Sequence, residues 1–303
     1  MGPAPVLAYP IMNLQAPQGF IADPSRQQYF IANANGEPGE RDNNGFITKL
    51  KQGGEVSELH FIQGGRNKAV LHSPYGMAII EDILFVADLD AVKGFDAITG
   101  EPLITISLKR FAPVNLTGLT VDPKGRLLVS DPESNAIYRI DPQQQYAVSL
   151  FLQDDALAGP SGLVFHHKTH RLIVTSFNQG IVLEIDSQGS IRELVSNGFF
   201  SSRFYNLSGV DFDQYGNMYI SDLTAGKIWR IRQDHKMEVI AEFLISPASV
   251  SIDREQHLIL VPYLYANGAE INGLERPTSS GTKKKQRTFS DYGFGKIGEK
   301  PSK

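Results

Sequence analysis

The chain has 303 residues, of which 41% are hydrophobic and 20% charged, and its formal net charge is −4. This composition supports a packed core and excludes a chain that is disordered throughout. Cysteine is absent, which excludes a disulfide framework, a thiol nucleophile and a cysteine-ligated zinc site. The sequence also has no apolar run of about 18 residues, so we expect no membrane span.

The N-terminal segment reads MGPAPVLAYPIMN and lacks the basic region and the long apolar stretch of a secretory signal peptide. We therefore expect a cytoplasmic protein by default, and a mature exported chain stays open as the alternative. Within this segment, Val6–Met12 precedes the first of six repeats and forms no repeat of its own.

One β-meander phrase recurs along the chain. Each copy has a small or proline-containing lead-in, an anchor residue that is usually glycine, a short apolar strand, a polar turn and two further strands. Successive anchors are 57, 42, 44, 47 and 40 residues apart, close to the roughly 40 to 45 residues of a four-stranded propeller blade. A polar loop over Asn33–Gly45 lengthens the first interval. The anchors are Gly19, Gly76, Gly118, Gly162, Gly209 and Ser249.

The copy that starts at Asn115 shows the strands most clearly, as NLTGLTVDPKGRLLVSDPESNAIYRID. Its runs GLTV, RLLVS and AIYRI, followed by VSLFL, are short and rich in β-branched or aromatic residues. The turn DPKG holds the Asp, Pro and Gly that tight turns favour. The third strands of three other copies read FITKL, VLEI and IWRI. The sequence therefore predicts an all-β, six-bladed β-propeller of four-stranded antiparallel blades.

The last copy, which opens at Ser246, lacks a fourth strand before Pro277. Because Val6–Met12 has no other partner, we expect it to complete the last blade and to close the ring. Closure would hide a sheet edge that is otherwise free to pair with another chain. The predicted propeller domain covers residues 1–276.

The remaining residues, 277–303, form a basic tail. They hold seven Lys and Arg against two Asp and Glu, so the tail carries +5 and the rest of the chain −9. We expect a solvated, disordered tail, although the aromatic residues of Thr288–Gly295 can dock on the body. The run Lys283–Arg287 leaves an anionic partner open, but an acidic body argues against nucleic acid as that partner.

The repeat resembles NHL repeats and, more broadly, the six-bladed senescence-marker-protein/gluconolactonase superfamily, over about residues 6–276. The resemblance implies a ligand site at the mouth of the central channel. In the lactonase branch it also implies a divalent cation held there by Glu, Asn and Asp ligands. The corresponding positions here are approximately Gln15, Leu116 or Thr117, Ser161 and Ser208. None is a carboxylate, which a hard cation prefers, so we expect neither a metal nor another cofactor.

The residue before each anchor is expected at the channel entrance. These entrance positions are Gln18, Tyr75, Thr117, Ser161, Ser208 and Ala248. The ring is neutral, so it offers hydrogen bonds but no obvious general base. We predict a ligand-binding set on the channel-mouth face, and no catalytic residue can be assigned. The set comprises Gln18, His72, Tyr75, Thr117, Ser161, Asn178, Arg203, Tyr205 and Ser208.

Other polar clusters favour structural roles. The histidines of HHKTH, His166, His167 and His170, fall in a turn on the face opposite the mouth and indicate a solvated turn rather than a metal site. Three second strands end in aspartate, which favours capping of backbone N–H groups, although some of these carboxylates can also face a ligand. The three are Asp88, Asp131 and Asp222.

Two loops leave alternatives open. Asp42, Asn43 and Asn44 lie in the Asn33–Gly45 loop, where a flexible polar loop is favoured over a calcium site because the spacing does not match an EF-hand. The segment SNGFFSSRFYN, which starts at Ser196, joins the fourth and fifth blades. Its aromatic residues either seal the cleft between these blades or rim a pocket, and we place only Arg203 and Tyr205 on the rim.

Two functions follow. The first is a binding or scaffold propeller that holds a small molecule, a peptide or a protein on the face that carries the inter-blade loops. The alternative is a hydrolase diverged from the gluconolactonase-like group, acting on a lactone or an ester through a non-standard site. A third interpretation, nucleic-acid binding through the tail, has the least support.

Overall fold

Short β-branched runs and tight turns divide the chain into strands that follow one another as meanders. The structure is a computed structural model that describes residues 10–166, 168–195 and 204–275. Within these residues, five sheets have four strands and one has three, and every strand pairing in a named sheet is antiparallel. The sheets form the six blades of a β-propeller, so the predicted fold is confirmed.

The strands of the first three blades follow the repeat. Blade 1 contains β1 (Pro17–Asp23), β2 (Gln28–Asn33), β3 (Phe46–Lys51) and β4 (Val56–Gln63). Blade 2 contains β5 (Pro74–Ile80), β6 (Ile83–Asp88), β7 (Ala91–Asp96) and β8 (Pro102–Ser107). Blade 3 contains β9 (Leu119–Val121), β10 (Leu127–Asp131), β11 (Ala136–Asp141) and β12 (Ala147–Gln153).

The second half of the ring repeats this order. Blade 4 contains β13 (Pro160–Phe165), β14 (Leu172–Ser176), β15 (Ile181–Ile185) and β16 (Ile191–Val195). Blade 5 contains β17 (Leu207–Phe212), β18 (Met218–Asp222), β19 (Lys227–Ile231) and β20 (Met237–Ala241). Blade 6 contains β21 (Ser251–Asp253), β22 (Leu258–Tyr263) and β23 (Gly268–Gly273).

Helix is confined to four short 3₁₀ turns within the described part of the chain. They span Pro24–Arg26, Lys109–Phe111, Pro142–Gln144 and Asp155–Leu157. No helix found there is long and apolar enough to cross a membrane.

The hydrophobic core lies between the blades rather than in one central mass. Six clusters of buried side chains each join two neighbouring blades. Between blades 1 and 2, for example, Phe30 and Ile47 pack with Leu84 and Phe95. Each sheet therefore buries both faces against its neighbours, which is why the strands of the inner three positions read as nearly continuous apolar runs.

The ring closes between the first and last blades. Ile11 forms an antiparallel bridge with Ala269 of β23, with N–H···O distances of 2.9 and 3.0 Å in the two directions. Its side chain is buried with Leu258, Leu260 and other residues of blades 1 and 6. The predicted closing segment Val6–Met12 thus contacts the predicted blade at its described end, while residues 6–9 lie outside the described residues, as does the basic tail 277–303.

The anchor glycines stand where the innermost strands of successive blades meet. A β-carbon on Gly19 would overlap the carbonyl oxygen of Tyr75 in the next blade. The same overlap is met at Gly76, Gly118 and Gly162, and a β-carbon on Gly209 would strike the backbone around Ser249. The repeated glycine is therefore a requirement of close backbone approach, not of turn geometry.

Hydrogen bonds link these innermost strands around the axis. In blades 3 and 4, a hydroxyl on the second strand donates to the entrance carbonyl of the next blade, from Ser130 to Ser161 at 2.7 Å and from Thr175 to Ser208 at 2.8 Å. Ser221 of blade 5 donates in the same way to Ala248. Backbone N–H groups do this elsewhere, from Gly76 to Thr117 and from Ser249 to Gln18, each at 3.0 Å.

Two faces of the ring differ in their connections. One face, called here the loop face, carries the links between blades and the turns between second and third strands. The opposite face carries the turns between first and second and between third and fourth strands. The described links and turns of the loop face are residues 12–16, 34–45, 64–73, 89–90, 108–118, 132–135, 154–159, 177–180, 204–206, 223–226, 242–250 and 264–267.

The closing contact gives a first prediction. Replacing Ile11 by Ala should lower the free energy of unfolding by about 2–4 kcal/mol, because its buried side chain joins blades 1 and 6. Deleting residues 1–12 should lower it further or cause aggregation through the freed edge of β23. Thermal unfolding measures both effects. Met12→Ala, at a half-exposed neighbouring position, is the control, and a deletion variant that melts with the intact chain would show that the ring closes in another way.

The close approach of the inner strands gives a second prediction. Gly118→Ala should cost about 3 kcal/mol or more, or prevent folding, because its methyl group would push the backbone of blade 4 away and break the Ser130–Ser161 hydrogen bond. Gly53→Ala is the matched control, since nothing lies within 4 Å of its added methyl group. Denaturant unfolding compares the two variants, and equal stabilities would contradict this account of the repeat.

Candidate functional site

The axis of the propeller is crossed by one aromatic side chain. The Tyr75 hydroxyl, from blade 2, lies 2.9 Å from the Ser208 hydroxyl of blade 5 on the opposite side of the ring. The Ser161 hydroxyl of blade 4 also hydrogen-bonds to it. Burial raises the pKa of Tyr75, so the phenol stays protonated at neutral pH. The central channel is therefore spanned by side chains at the level of the entrance positions.

The other entrance positions are buried, whereas Tyr75 keeps part of its surface accessible to solvent. Gln18, Thr117, Ser161 and Ser208 are nearly inaccessible to solvent, and so is Ala248. Thr117 Oγ1 lies 3.1 Å from Ser130 Oγ, and Gln18 Nε2 has no partner among the described residues. The entrance ring is thus a buried polar layer with one spare hydrogen-bond donor, rather than an open mouth.

This layer does not fit the divalent cation that the lactonase branch holds. Gln18, Thr117, Ser161 and Ser208 offer amide and hydroxyl groups but no carboxylate, and the Tyr75–Ser208 contact occupies the axis. A hard cation requires several oxygen ligands, preferably anionic. Of the family positions, Leu116 is a buried apolar residue and Gln15 is exposed on the loop face. We therefore derive no chemistry through a metal at this position.

Three buried carboxylates shape the loop face. Asp131 accepts from the backbone N–H of Val114 at 3.0 Å, and Asp222 from that of Tyr205 at 2.9 Å. Asp88 accepts from the N–H groups of His72 and Ser73 and pairs with Lys93. These aspartates cap N–H groups as predicted, but mainly those of the inter-blade loop that leads into their own blade. They fix the backbone from which the loop side chains project.

His72 fastens the long loop of blade 1. Its Nδ1 accepts a hydrogen bond from the backbone N–H of Asn43 at 2.9 Å, and Asn43 Oδ1 accepts from the N–H of Leu71 at 2.9 Å. Burial lowers the pKa of His72, opposed by the nearby carboxylate of Asp88. A neutral ring whose Nδ1 lone pair accepts this hydrogen bond is thus part of the folded arrangement, and His72 acts first as a latch on residues 34–45.

The remaining predicted ligand-binding residues lie apart from the axial layer. Asn178 is exposed in the β14–β15 turn, where its backbone N–H donates to Ala158 O at 3.1 Å. Tyr205 leaves 54% of its surface exposed on the loop face. Arg203 lies outside the described residues. The structure therefore brings together Tyr75, Ser161 and Ser208, keeps Gln18 and Thr117 in the same entrance layer, and places His72, Asn178 and Tyr205 on the loops.

In the candidate metal clusters, side chains accept hydrogen bonds from backbone N–H groups. His166 Nδ1 lies 3.2 Å from the N–H of Lys168 and caps the turn, its ring stacks edge-on against Phe212, and His167 lies outside the described residues. Within the Asn33–Gly45 loop, Asp42 Oδ1 accepts from the N–H of Asn44 at 3.3 Å. No group of three or more His, Cys, Asp or Glu side chains with metal-binding geometry occurs among the described residues.

Sequence reasoning missed the apolar side chains of the loop face. Among the described residues, eleven large apolar side chains are exposed, and seven of them belong to this face. Five cluster along the loops of blades 5 and 6 and the closing segment. We call them the apolar arc: Met12, Tyr205, Phe243, Ile245 and Tyr265.

Backbone hydrogen bonds join the parts of this arc. Leu244, between Phe243 and Ile245, donates to Gly226 O at 3.0 Å in the blade 5 turn that follows Asp222. Leu264, next to Tyr265, donates to Ser246 O at 3.0 Å. Met12 reaches the start of β23, where its sulfur would lie 3.9 Å from a β-carbon on Gly268. These contacts place the loops that carry the arc next to one another on the loop face.

Comparisons with known proteins bear on the fold. No protein-family model matches the sequence, and no curated protein matches it. An auxiliary nutrient binding protein from Bacteroides thetaiotaomicron superposes with a TM-score of 0.67 at 11% identity, over 86% of this chain and 69% of that one. A protein named "putative gluconolactonase" gives 0.61 at 14% identity, over 89% and 94%. A Staphylococcus aureus virginiamycin B lyase with quinupristin gives 0.60 at 13%, over 88% and 99%.

The likeness is one of fold. It agrees with the six-bladed propeller predicted from the repeat, and at these identities it transfers no activity to this chain.

The His72 latch gives a third prediction. Because the folded-state pKa of His72 is lowered, its contribution to stability is complete above the unfolded-state pKa of about 6.5, and it declines as the pH falls below that value towards the folded-state pKa. The loss is at most that of one hydrogen bond, about 1 kcal/mol. His72→Asn keeps an acceptor near Asn43 but does not titrate. The stability difference between the two proteins should therefore change between pH 7.5 and pH 5, and a constant difference would contradict the latch.

Proposed function

We propose that this propeller is a binding or scaffold protein whose partner, a protein or peptide, contacts the apolar arc on the loop face. A small molecule at the channel mouth, the other ligand considered, is less well supported because the entrance layer is buried and crossed by Tyr75. The fold neighbours named above include a nutrient-binding protein, which agrees with a binding role without specifying one.

The main support for this proposal is the exposed side chain of Phe243. Its backbone adopts a left-handed conformation with φ of 62°, and 74% of its surface is exposed. A bulky residue in that conformation costs of order 1 kcal/mol or more, and such strain concentrates at functional sites. Exposing the ring brings no burial in return. An aromatic ring exposed to solvent among other exposed apolar side chains is typical of a contact surface.

The composition of the arc suits a protein surface or peptide. Tyrosine, phenylalanine and methionine are enriched in interfaces, because aromatic side chains provide large contact areas at low entropic cost. The arc is carried by loops and not by an unpaired strand, so recognition would rest on side chains rather than on strand addition.

The gluconolactonase-like hydrolase remains the second candidate. It is supported by the fold neighbours, which include the protein named as a gluconolactonase and a lyase. Among the groups at the axis, Tyr75 is protonated at neutral pH and the serines have no adjacent base, so activation of water would need a group from the loops. Hydrolysis of lactones or esters that is lost in Tyr75→Phe would favour this candidate.

The fourth prediction tests the binding surface. Peptides selected from a display library against the full chain should bind the double variant Phe243→Ser/Tyr265→Ser about tenfold or more weakly, because aromatic anchors carry most of an interface's free energy. Isothermal titration calorimetry measures the affinities.

The control is the double variant Leu103→Ser/Leu150→Ser. These side chains are exposed to 53% and 46% on the outer strands β8 and β12, so the variant removes comparable apolar area away from the arc and should leave the affinities unchanged. Equal losses of affinity in both double variants would mean that the selected peptides bind exposed apolar surface nonspecifically. No loss of affinity in either variant would place the binding site elsewhere.

A further inference from the structure

We propose that the aromatic segment Thr288–Gly295 of this same chain docks in cis on the apolar arc and covers it when no partner is bound. This inference rests on the proposed function, since it concerns how the same surface is regulated. The experiments below distinguish this occupant from a second copy of the chain and from an external peptide.

The C-terminal segment is long enough to reach the apolar arc. The described chain ends at Glu275, immediately after β23 of blade 6, and the arc runs over the loops of blades 5 and 6. β23 has six residues, so the blade is about 20 Å tall. The thirteen residues between Glu275 and Phe289 span up to about 43–47 Å when extended. The chain can therefore pass around the outside of blade 6 and reach the loop face.

The tail segment and the apolar arc are both rich in aromatic side chains. The tail holds three aromatic residues, and all lie within six positions, as Phe289, Tyr292 and Phe294. Small residues separate them, so the rings can be presented together against a surface. The arc offers aromatic and aliphatic partners, three of them rings, and offset or edge-on ring pairs contribute about 0.5–1.5 kcal/mol each beyond the area they bury.

The tail and the body of the protein carry opposite net charges. The body carries −9 and the tail +5, so the two attract each other at low ionic strength. The basic run Lys283–Arg287 immediately precedes Phe289, and Glu242 is exposed next to Phe243 in the arc. Because the segment is tethered, its effective concentration near the arc is in the millimolar range. Weak ring contacts are therefore enough to keep the arc covered.

The fifth prediction uses the full chain. In the tail variant Phe289→Ser/Tyr292→Ser/Phe294→Ser, the uncovered arc should bind the apolar dye anilinonaphthalene sulfonate several-fold more than in wild type. Adding Phe243→Ser/Tyr265→Ser to the tail variant should return dye binding to the wild-type level, whereas adding Leu103→Ser/Leu150→Ser should not. Equal dye binding by wild type and tail variant would overturn the proposal.

A synthetic peptide of residues 283–298 provides the second measurement. It should bind the tail variant, and bind wild type about tenfold more weakly, because the tethered copy competes. The sole tryptophan, Trp229, can report binding, since its ring packs 5.0 Å from that of Phe204, next to Tyr205. No binding to the tail variant, or equal binding to both proteins, would contradict docking in cis.

Two outcomes separate this inference from the proposed function. If selected peptides bind through the arc but removal of the tail aromatics changes neither their affinity nor dye binding, the surface stands and its cis occupant is wrong. If light scattering shows a dimer in wild type that the tail variant loses, the segment docks on a second copy, which overturns docking in cis. If neither selected peptides nor dye depend on the arc, both proposals fail.

Discussion

The structure depends on how closely the backbones of adjacent inner strands approach around the axis. At four of the anchors the chain passes so near the entrance carbonyl of the next blade that a methyl group has no room, as at Gly118 beside Ser161. The carbonyl then accepts a hydrogen bond from the neighbouring blade, which satisfies a polar group that is otherwise buried near the axis. This close approach of the backbones thus determines both where glycine recurs in the sequence and how wide the channel is.

A narrow channel has a consequence for function. With six inner strands this close, a single tyrosine reaches from blade 2 to Ser208 of blade 5 and fills the axis. The residues that line the axis are then committed to one another. Variation is left to the loops, whose ends are held by Asp88, Asp131 and Asp222 against the second strands. The rigid ring and the buried carboxylates together present loop side chains in fixed positions, which is what a binding surface requires.

The fold could be predicted because its causes repeat. The anchor spacing, the turn residues and the short strands recur from blade to blade, and the missing fourth strand after Ser246 indicated that the segment Val6–Met12 would close the ring. The hydroxyls of Ser130, Thr175 and Ser221 also occupy one repeat position, so their shared role was readable in VSD, VTS and ISD. The span of Tyr75 was not, because it depends on the channel width, which no local pattern encodes.

The apolar arc was harder to predict for a different reason. Phe243 lies in the run AEFLISPAS, where three consecutive apolar residues resemble the end of a buried strand. Only the left-handed backbone at Phe243 and again at Ser246, with φ of 62° and 50°, turns these side chains out to solvent. Non-glycine residues seldom adopt this conformation, so local sequence statistics point the other way. Strain of this kind becomes visible only once the surrounding hydrogen bonds are known.

The same geometry bears on whether the axis can support hydrolysis. An attack by water is best assisted by a general base with a pKa near neutrality, within hydrogen-bonding distance of the attacking water. At the axis, burial raises the pKa of Tyr75, which moves it away from that range, and its hydroxyl is already paired with Ser208. Burial lowers the pKa of His72, and its Nδ1 already accepts the hydrogen bond from Asn43 N–H, so the neutral ring carries its proton on Nε2 and has no lone pair left to act as a base. Catalysis would therefore have to release the loop that the histidine holds, whereas binding at the arc requires no such change.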